Sequence, residues 1–307
     1  MKIRPFKQVD VFTATPYFGN PLAVVIDGSG LDDVAMQRFA RWTNLSETTF
    51  LLRPTDPSAD YRVRIFTPGG ELPFAGHPTL GSCHSWLQAG GQPKSAEFIV
   101  QECQVGLVRI RRETGTQRLA FAAPPLTRSE PDPALLAQVA QALGLQSTQI
   151  LAAQLLDNGP TWLGLLLDSA EVVLQLTPNH QALEKLGMKV GVTAIYPPEE
   201  APPLIARANR EALAFDMAVK ESIAAAPDLE VRAFAASIGV NEDPVTGSLH
   251  ASLAQWLMAD GYAPERYLAS QGVCLGRAGQ VHIERDAAGQ VWVGGEVVTC
   301  VDGQVML

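Results

Sequence analysis

Glu47 stands in Asn44-Leu45-Ser46-Glu47-Thr48-Thr49-Phe50-Leu51-Leu52, whose second half is apolar and rich in β-formers, so its carboxyl falls at the mouth of a strand. A carboxyl in dry surroundings gains basicity, which suits it to take up a proton and give it back. The plain alternative is a solvated glutamate at a strand entry. Asp243 precedes Pro244 and His77 precedes Pro78, both where a helix is expected to start. Capping alone accounts for an Asp before Pro, and a cap can also hold a ligand. The positive end of a helix disfavours a cation, so His77 is expected to act as a neutral hydrogen-bonding group, with a satisfied structural histidine as the alternative. His84 and His250 lie deep in uncharged stretches without companions at metal-ligand spacing and read as core residues. Cys83 and Cys274 likewise read as packing.

The stretch that must position these groups is residues 241–261, Asn-Glu-Asp-Pro-Val-Thr-Gly-Ser-Leu-His-Ala-Ser-Leu-Ala-Gln-Trp-Leu-Met-Ala-Asp-Gly. It reads as a helix with Asp243 as N-cap, Pro244 at the first position and Gly261 as its stop. Residues 245–259 carry no charge, so this helix is expected to be enclosed by strands. Residues 77–90 repeat the pattern without a gap: Pro78 falls on Pro244, Gly81 on Gly247, Ser82 on Ser248 and His84 on His250, with His77 in the place of Asp243. The spacing predicts a duplicated unit with two buried helices whose N-termini carry unpaired N–H groups and partial positive charge and so favour an anion.

Around them, strands are expected over residues 6–12 and 22–26, an amphipathic helix over 31–42, and a half-buried strand over 61–67. Successive antiparallel strands follow over 96–101, 105–111 and 117–121, and Ala123-Pro124-Pro125 marks a boundary between domains 1–125 and 126–307. In the second half, helices are expected over 132–143 and 179–186 and strands over 161–167, 190–196 and 230–235. Residues 206–226 read as a helical insertion that could shape specificity. Short strands over 273–275, 281–284, 291–293 and 296–300 close the chain, and one of them can return to the first domain.

At 307 residues with 47% hydrophobic and 18% charged residues, the chain can bury two cores. A net charge of −9 without a basic cluster argues against nucleic acid and leaves a small molecule as the expected partner. The longest uncharged run, residues 133–156, is broken by Gly144 and loaded with Gln, so no membrane span is expected. Cys83, Cys103, Cys274 and Cys300 form no Cys-x-x-Cys pair, which fits a reducing cytoplasm and gives no structural zinc site.

Gly19-Asn20-Pro21, Asn44-Leu45-Ser46-Glu47-Thr48, Glu71-Leu72-Pro73-Phe74-Ala75-Gly76-His77-Pro78-Thr79 and Glu242-Asp243-Pro244-Val245-Thr246-Gly247-Ser248 together resemble the PhzF-like phenazine-biosynthesis isomerase family. The resemblance implies an α+β, diaminopimelate-epimerase-like fold: two pseudo-symmetric domains, each a sheet wrapped around a central helix, with the active site between them. It implies a proton-moving isomerase of a small carboxylate that uses no metal or organic cofactor and is commonly a homodimer. By the same resemblance Glu47 matches the general acid/base, and Asn20, Gly76, His77, Asp243, Gly247 and Ser248 match substrate-holding positions. The related two-thiol racemases place a cysteine at each helix start, where this sequence has His77 and Asp243. Two alternatives remain beside the isomerase: a metabolite-binding member without turnover, and an amino-acid racemase.

Overall fold

The computed structural model describes residues 1–113, 115–197 and 226–307, in two units: residues 1–122 with 292–307, and residues 123–291. The helix expected over 206–226 lies, except for Ala226, outside the described residues, as does most of the neighbouring 197–203 stretch. No described helix is long and apolar enough to cross a membrane.

The first unit opens with β1 (Ile3–Val11), β2 (Asn20–Val25), α1 (Asp33–Thr43), β3 (Glu47–Leu52) and β4 (Tyr61–Phe66). It continues through β5 (Glu71–Leu72), α2 (Gly76–Gln88), β6 (Ile99–Cys103), β7 (Gly106–Arg112) and β8 (Leu119–Ala122). The second unit has β9 (Thr127–Ser129), α3 (Pro133–Leu143), β10 (Ile150–Asp157), β11 (Thr161–Leu167), α4 (Ala170–Gln175) and α5 (His180–Leu186). Then come β12 (Lys189–Ile195), β13 (Leu229–Ala235), β14 (Val240–Asp243), α6 (Gly247–Ala259), β15 (Arg266–Gln271) and β16 (Gly279–Arg285). Finally β17 (Val291–Gly295) and β18 (Val297–Met306) bring the chain back to the first unit, pairing with β8 and β1.

Each unit follows one topology. β2 and β3 are parallel, joined through α1; β4 and β6 are parallel, joined through α2; the remaining first-unit pairings are antiparallel. In the second unit β11–β12 and β13–β15 are the parallel pairs, spanned by α4–α5 and by α6. Helix α2 touches β1, β2, β3, β4, β6, β8 and β18, so the sheet wraps around it. A Cβ at Gly81 would lie 2.6 Å from Leu22 Cδ2, which shows how closely this helix meets the strands. Outside the sheet, α1 buries Met36, Phe39 and Ala40 against Val25, Phe50 and Phe66. The second unit's sheet is covered likewise by Val139 and Leu143 of α3, Val173 of α4 and Leu183 of α5.

Both buried helices are 13 residues long, but they start elsewhere than the sequence suggests. Helix α2 begins at Gly76, with Ala75 as N-cap and Pro78 inside the first turn, where a missing N–H costs no intrahelical bond. Helix α6 begins at Gly247 with Thr246 as N-cap, so Asp243 is no cap but the last residue of β14. A residue before proline is held extended, and Gln271 keeps the following turn out of the helix. Its Oε1 accepts from Thr246 N at 3.0 Å, and its Nε2 donates to Asp243 O at 2.8 Å. The repeat therefore sets Glu71-Leu72-Pro73 against Glu242-Asp243-Pro244 and Gly76-His77 against Gly247-Ser248, instead of Pro78 against Pro244.

One constellation recurs in this register. Arg64 of β4 forks onto Glu71 at 2.7 and 2.6 Å, and Arg232 of β13 forks onto Glu242 at 2.9 and 2.9 Å. Each guanidinium lies 5.0 Å from the ring of the phenylalanine two residues on, Phe66 or Phe234. The third arm reaches the outer helix: Arg64 Nη1 to Asp33 at 2.7 Å, Arg232 Nη1 to the carbonyls of Val173 and Leu176 at 3.1 and 2.8 Å. Smaller departures are local. Residues 273–275 form a 3-10 turn instead of a strand, and Cys274 is exposed instead of packed.

Candidate functional site

In the first unit the candidate residues converge on the start of α2. Asn44 ends α1 in the left-handed region at φ 55°, a conformation that Asn tolerates, and this turns the chain into β3 with Glu47 as its first residue. Gly19 leads into Asn20 where a Cβ would lie 2.3 Å from Val11 O, so only glycine fits before that asparagine. The side chains then meet. Ser46 Oγ donates to Asn20 Oδ1 at 3.3 Å, and Asn20 Nδ2 lies 3.3 Å from His77 Nδ1. With its oxygen engaged by Ser46, the Asn20 amide donates through Nδ2, which makes Nδ1 the acceptor and leaves the ring proton on Nε2. His77 Nε2 stands 3.3 Å from Glu47 Oε2, an ion-pair distance whose angles fall short of a hydrogen bond.

Burial of His77 pushes its imidazole down to about 3, so it is neutral at physiological pH. The cause is desolvation of a 4% exposed side chain; the helix dipole invoked from sequence acts in the same direction. Glu47 keeps 15% of its side chain accessible, while its Oε2, the oxygen that faces His77, is buried.

In the second unit, Asp243 Oδ2 accepts the hydroxyl proton of Thr246, so its carboxylate braces the turn into α6. Ser248 Oγ accepts from Trp162 Nε1 at 3.3 Å, and Asn158 Nδ2 donates to Ser248 O at 3.0 Å. His250 is 1% exposed and bonds Gln271 Oε1 at 2.9 Å, a core residue that steadies the same turn. His84 is partly buried against Thr299 at 2.9 Å. Sequence reasoning missed Gln271, Trp162 and Asn158, whose partners are remote in the chain; only the repeat of topology marks Asn158 as lying where Asn20 lies.

Neither Ala75 nor Thr246 gives its helix a side-chain cap, whereas Asp32, Asp132, Ser169 and Asn179 cap α1, α3, α4 and α5. The first-turn N–H groups of α2 and α6 are thus left to bind something other than a cap. The helix starts carry Gly76–His77 and Gly247–Ser248 and hold no thiol; Cys83, further along α2, is fully buried and its thiol is pushed up to about 12.

Two buried neutral histidines make the fold acid-sensitive. Burial holds His77 at about 3 and His250 at about 4, below the unfolded value near 6.5, so the unfolded chain binds more protons once the pH falls below that value. Their contribution to stability is complete above pH ~6.5 and is lost as the pH falls towards ~4. Between pH 6 and pH 5 the two should together remove about 2 kcal/mol of unfolding free energy, and urea titrations at those values would show it. A flat profile would mean that these histidines are not buried neutral.

The family model for phenazine biosynthesis-like proteins matches residues 9–303. Among curated proteins, the chain is 35% identical to "Antisense-enhancing sequence 1" of Schizosaccharomyces pombe, covering 97% of both chains. It is 31% identical to trans-2,3-dihydro-3-hydroxyanthranilate isomerase of Pseudomonas aeruginosa, covering 97% of this chain and 98% of that one. Among solved structures, the Bacillus anthracis phenazine biosynthesis protein of the PhzF family superposes with a TM-score of 0.79 at 21% identity over 100% of both chains, a likeness of fold.

Proposed function

Because the chain belongs to the phenazine biosynthesis-like protein family, we propose that it is an isomerase that moves a proton on a small unsaturated carboxylate, with Glu47 as the acid/base. The observation that carries this reading is the Asn20–His77–Glu47 cluster at the uncapped start of α2. A neutral His77 with its proton on Nε2 faces the Glu47 carboxylate without neutralising it, so the carboxylate keeps its capacity to take a proton. The carboxylate removes a proton from a carbon next to the unsaturated system, and the electron pair shifts along that system. The carboxylic acid so formed returns the proton at the other end. Atoms and charge balance without an oxidant, and a carboxylate base with hydrogen-bond donors suffices, so the reading calls for no cofactor.

Asn20, Gly76 and His77 are the ligand-holding candidates of the first unit in this reading, and Asp243, Gly247 and Ser248 are those of the second. The N–H groups of Gly247 and Ser248 and the Ser248 hydroxyl suit its carboxylate. The alignment with trans-2,3-dihydro-3-hydroxyanthranilate isomerases spans essentially the whole chain, which makes that amino- and hydroxy-bearing diene carboxylate the first compound to test. In deuterated water the native protein should place one solvent deuterium on a product carbon when the Glu47 carboxylic acid exchanges before it returns the proton; a proton returned faster than it exchanges leaves the product unlabelled. Tight binding of such carboxylates with neither isomerisation nor deuterium uptake would leave a binding module in place of an enzyme.

A further inference from the structure

Asn158 sits in the turn between β10 and β11 and is 6% exposed. Its Nδ2 donates to the Ser248 carbonyl at 3.0 Å, which fixes the orientation of the amide. The other end of that amide, Oδ1, is buried and accepts no hydrogen bond among the described residues. A buried amide oxygen left unpaired is destabilising and uncommon, and one beside a ligand-binding turn points to a donor that arrives with the ligand.

The surroundings agree. Trp162 Nε1 donates to Ser248 Oγ at 3.3 Å, so the Ser248 hydroxyl has an acceptor role filled and its own proton still to give. Thr246 leaves the first turn of α6 without a side-chain cap. This corner therefore offers donors for an anion and one acceptor, Asn158 Oδ1. The internal repeat gives a second line of support: Asn20 opens β2 and bonds His77, the second residue of α2, while Asn158 precedes β11 and bonds Ser248, the second residue of α6.

We infer that Asn158 contacts the ligand, its Oδ1 accepting an N–H or O–H that the ligand carries beside the carboxylate held at Gly247 and Ser248. The inference rests on the proposed carboxylate-holding role of that pair. It narrows the ligand class to carboxylates with an amino or hydroxyl group on a neighbouring carbon.

Benzoate and anthranilate share a ring and a carboxylate and differ by one amino group, so their affinities measured by calorimetry isolate the donor. The native protein should bind anthranilate roughly threefold to tenfold more tightly, the range of one net hydrogen bond. In Asn158→Ala that preference should fall to about one. Asn158→Asp keeps an acceptor, loses the bond to Ser248 O and adds a negative charge that weakens binding of both carboxylates alike; the ratio of the two affinities should still show the preference, and it carries the test if the alanine variant does not fold. An undiminished preference in Asn158→Ala, or its loss in Asn158→Asp as well, makes the residue a brace for Ser248 and overturns the inference. Equal binding of the two compounds by the native protein does the same. Failure of the native protein to bind either compound overturns the carboxylate reading at Gly247–Ser248, and this inference with it.

Discussion

Glu47→Gln should bind substrate with near-native affinity and turn it over at least ~100-fold more slowly, the low end of what general acid/base catalysis contributes. Glutamine has the same length, and its amide oxygen can face the His77 Nε2 proton 3.3 Å away as the carboxylate does, so the Asn20–His77 arrangement is preserved. What disappears is the capacity to take and return a proton. A fall in kcat with KM little changed separates this from a loss of ligand contact, and corresponds to roughly 2.7 kcal/mol of transition-state stabilisation. In deuterated water the variant should wash no label into the product. Near-native turnover would remove Glu47 from the mechanism, and with it the reason for preferring an isomerase to a binding protein.

The residues that gather at the start of α2 carry local signals in the sequence. Glu47 lies between the Asn44 turn and an apolar strand, and the observed β3 starts at that residue. The second half was less legible. Asp243 before Pro244 looks like a helix start, yet α6 begins at Gly247, because Gln271 binds both ends of the intervening turn. Gln271 is on a strand after the helix, and nothing in residues 241–261 announces it. The same displacement hid the register of the repeat. Glu, Pro and Gly recur at identical spacing in Glu71-Leu72-Pro73-Phe74-Ala75-Gly76 and Glu242-Asp243-Pro244-Val245-Thr246-Gly247, but the longer uncharged match beginning at Pro78 and Pro244 obscured them. β10 was missed for another reason. Its residues, Ile150–Asp157, mix Leu and Ala with a Gln and carry few β-branched side chains, so pairing with β9 and β11 decides their conformation.

The repeated Arg–Glu fork supplies the largest expected effect on stability and an internal control for it. Arg232 and Glu242 have side chains 6% and 7% exposed, against 19% and 30% for Arg64 and Glu71, with the same two-bond geometry. Removing one partner of a buried pair strands the other charge, at a cost of about 3–5 kcal/mol, whereas an exposed pair contributes about 1 kcal/mol or less. Glu242→Gln should therefore lower the unfolding free energy by at least ~3 kcal/mol, and Glu71→Gln by about 1 kcal/mol. Arg64 also keeps its contact to Asp33 at 2.7 Å when Glu71 is changed. Arg232 has carbonyls as its other hydrogen-bond partners, which satisfy N–H groups, and Glu230 acts on its charge only through space, as the weakest of its electrostatic influences. The double change Arg232→Met with Glu242→Leu removes both charges and should recover most of the loss in urea titrations. Equal costs for Glu242→Gln and Glu71→Gln would mean that burial does not distinguish the two forks. A large cost confined to Glu242 would identify the β13–β14 hairpin, which ends in Asp243, as held by a charge pair that tolerates no single replacement.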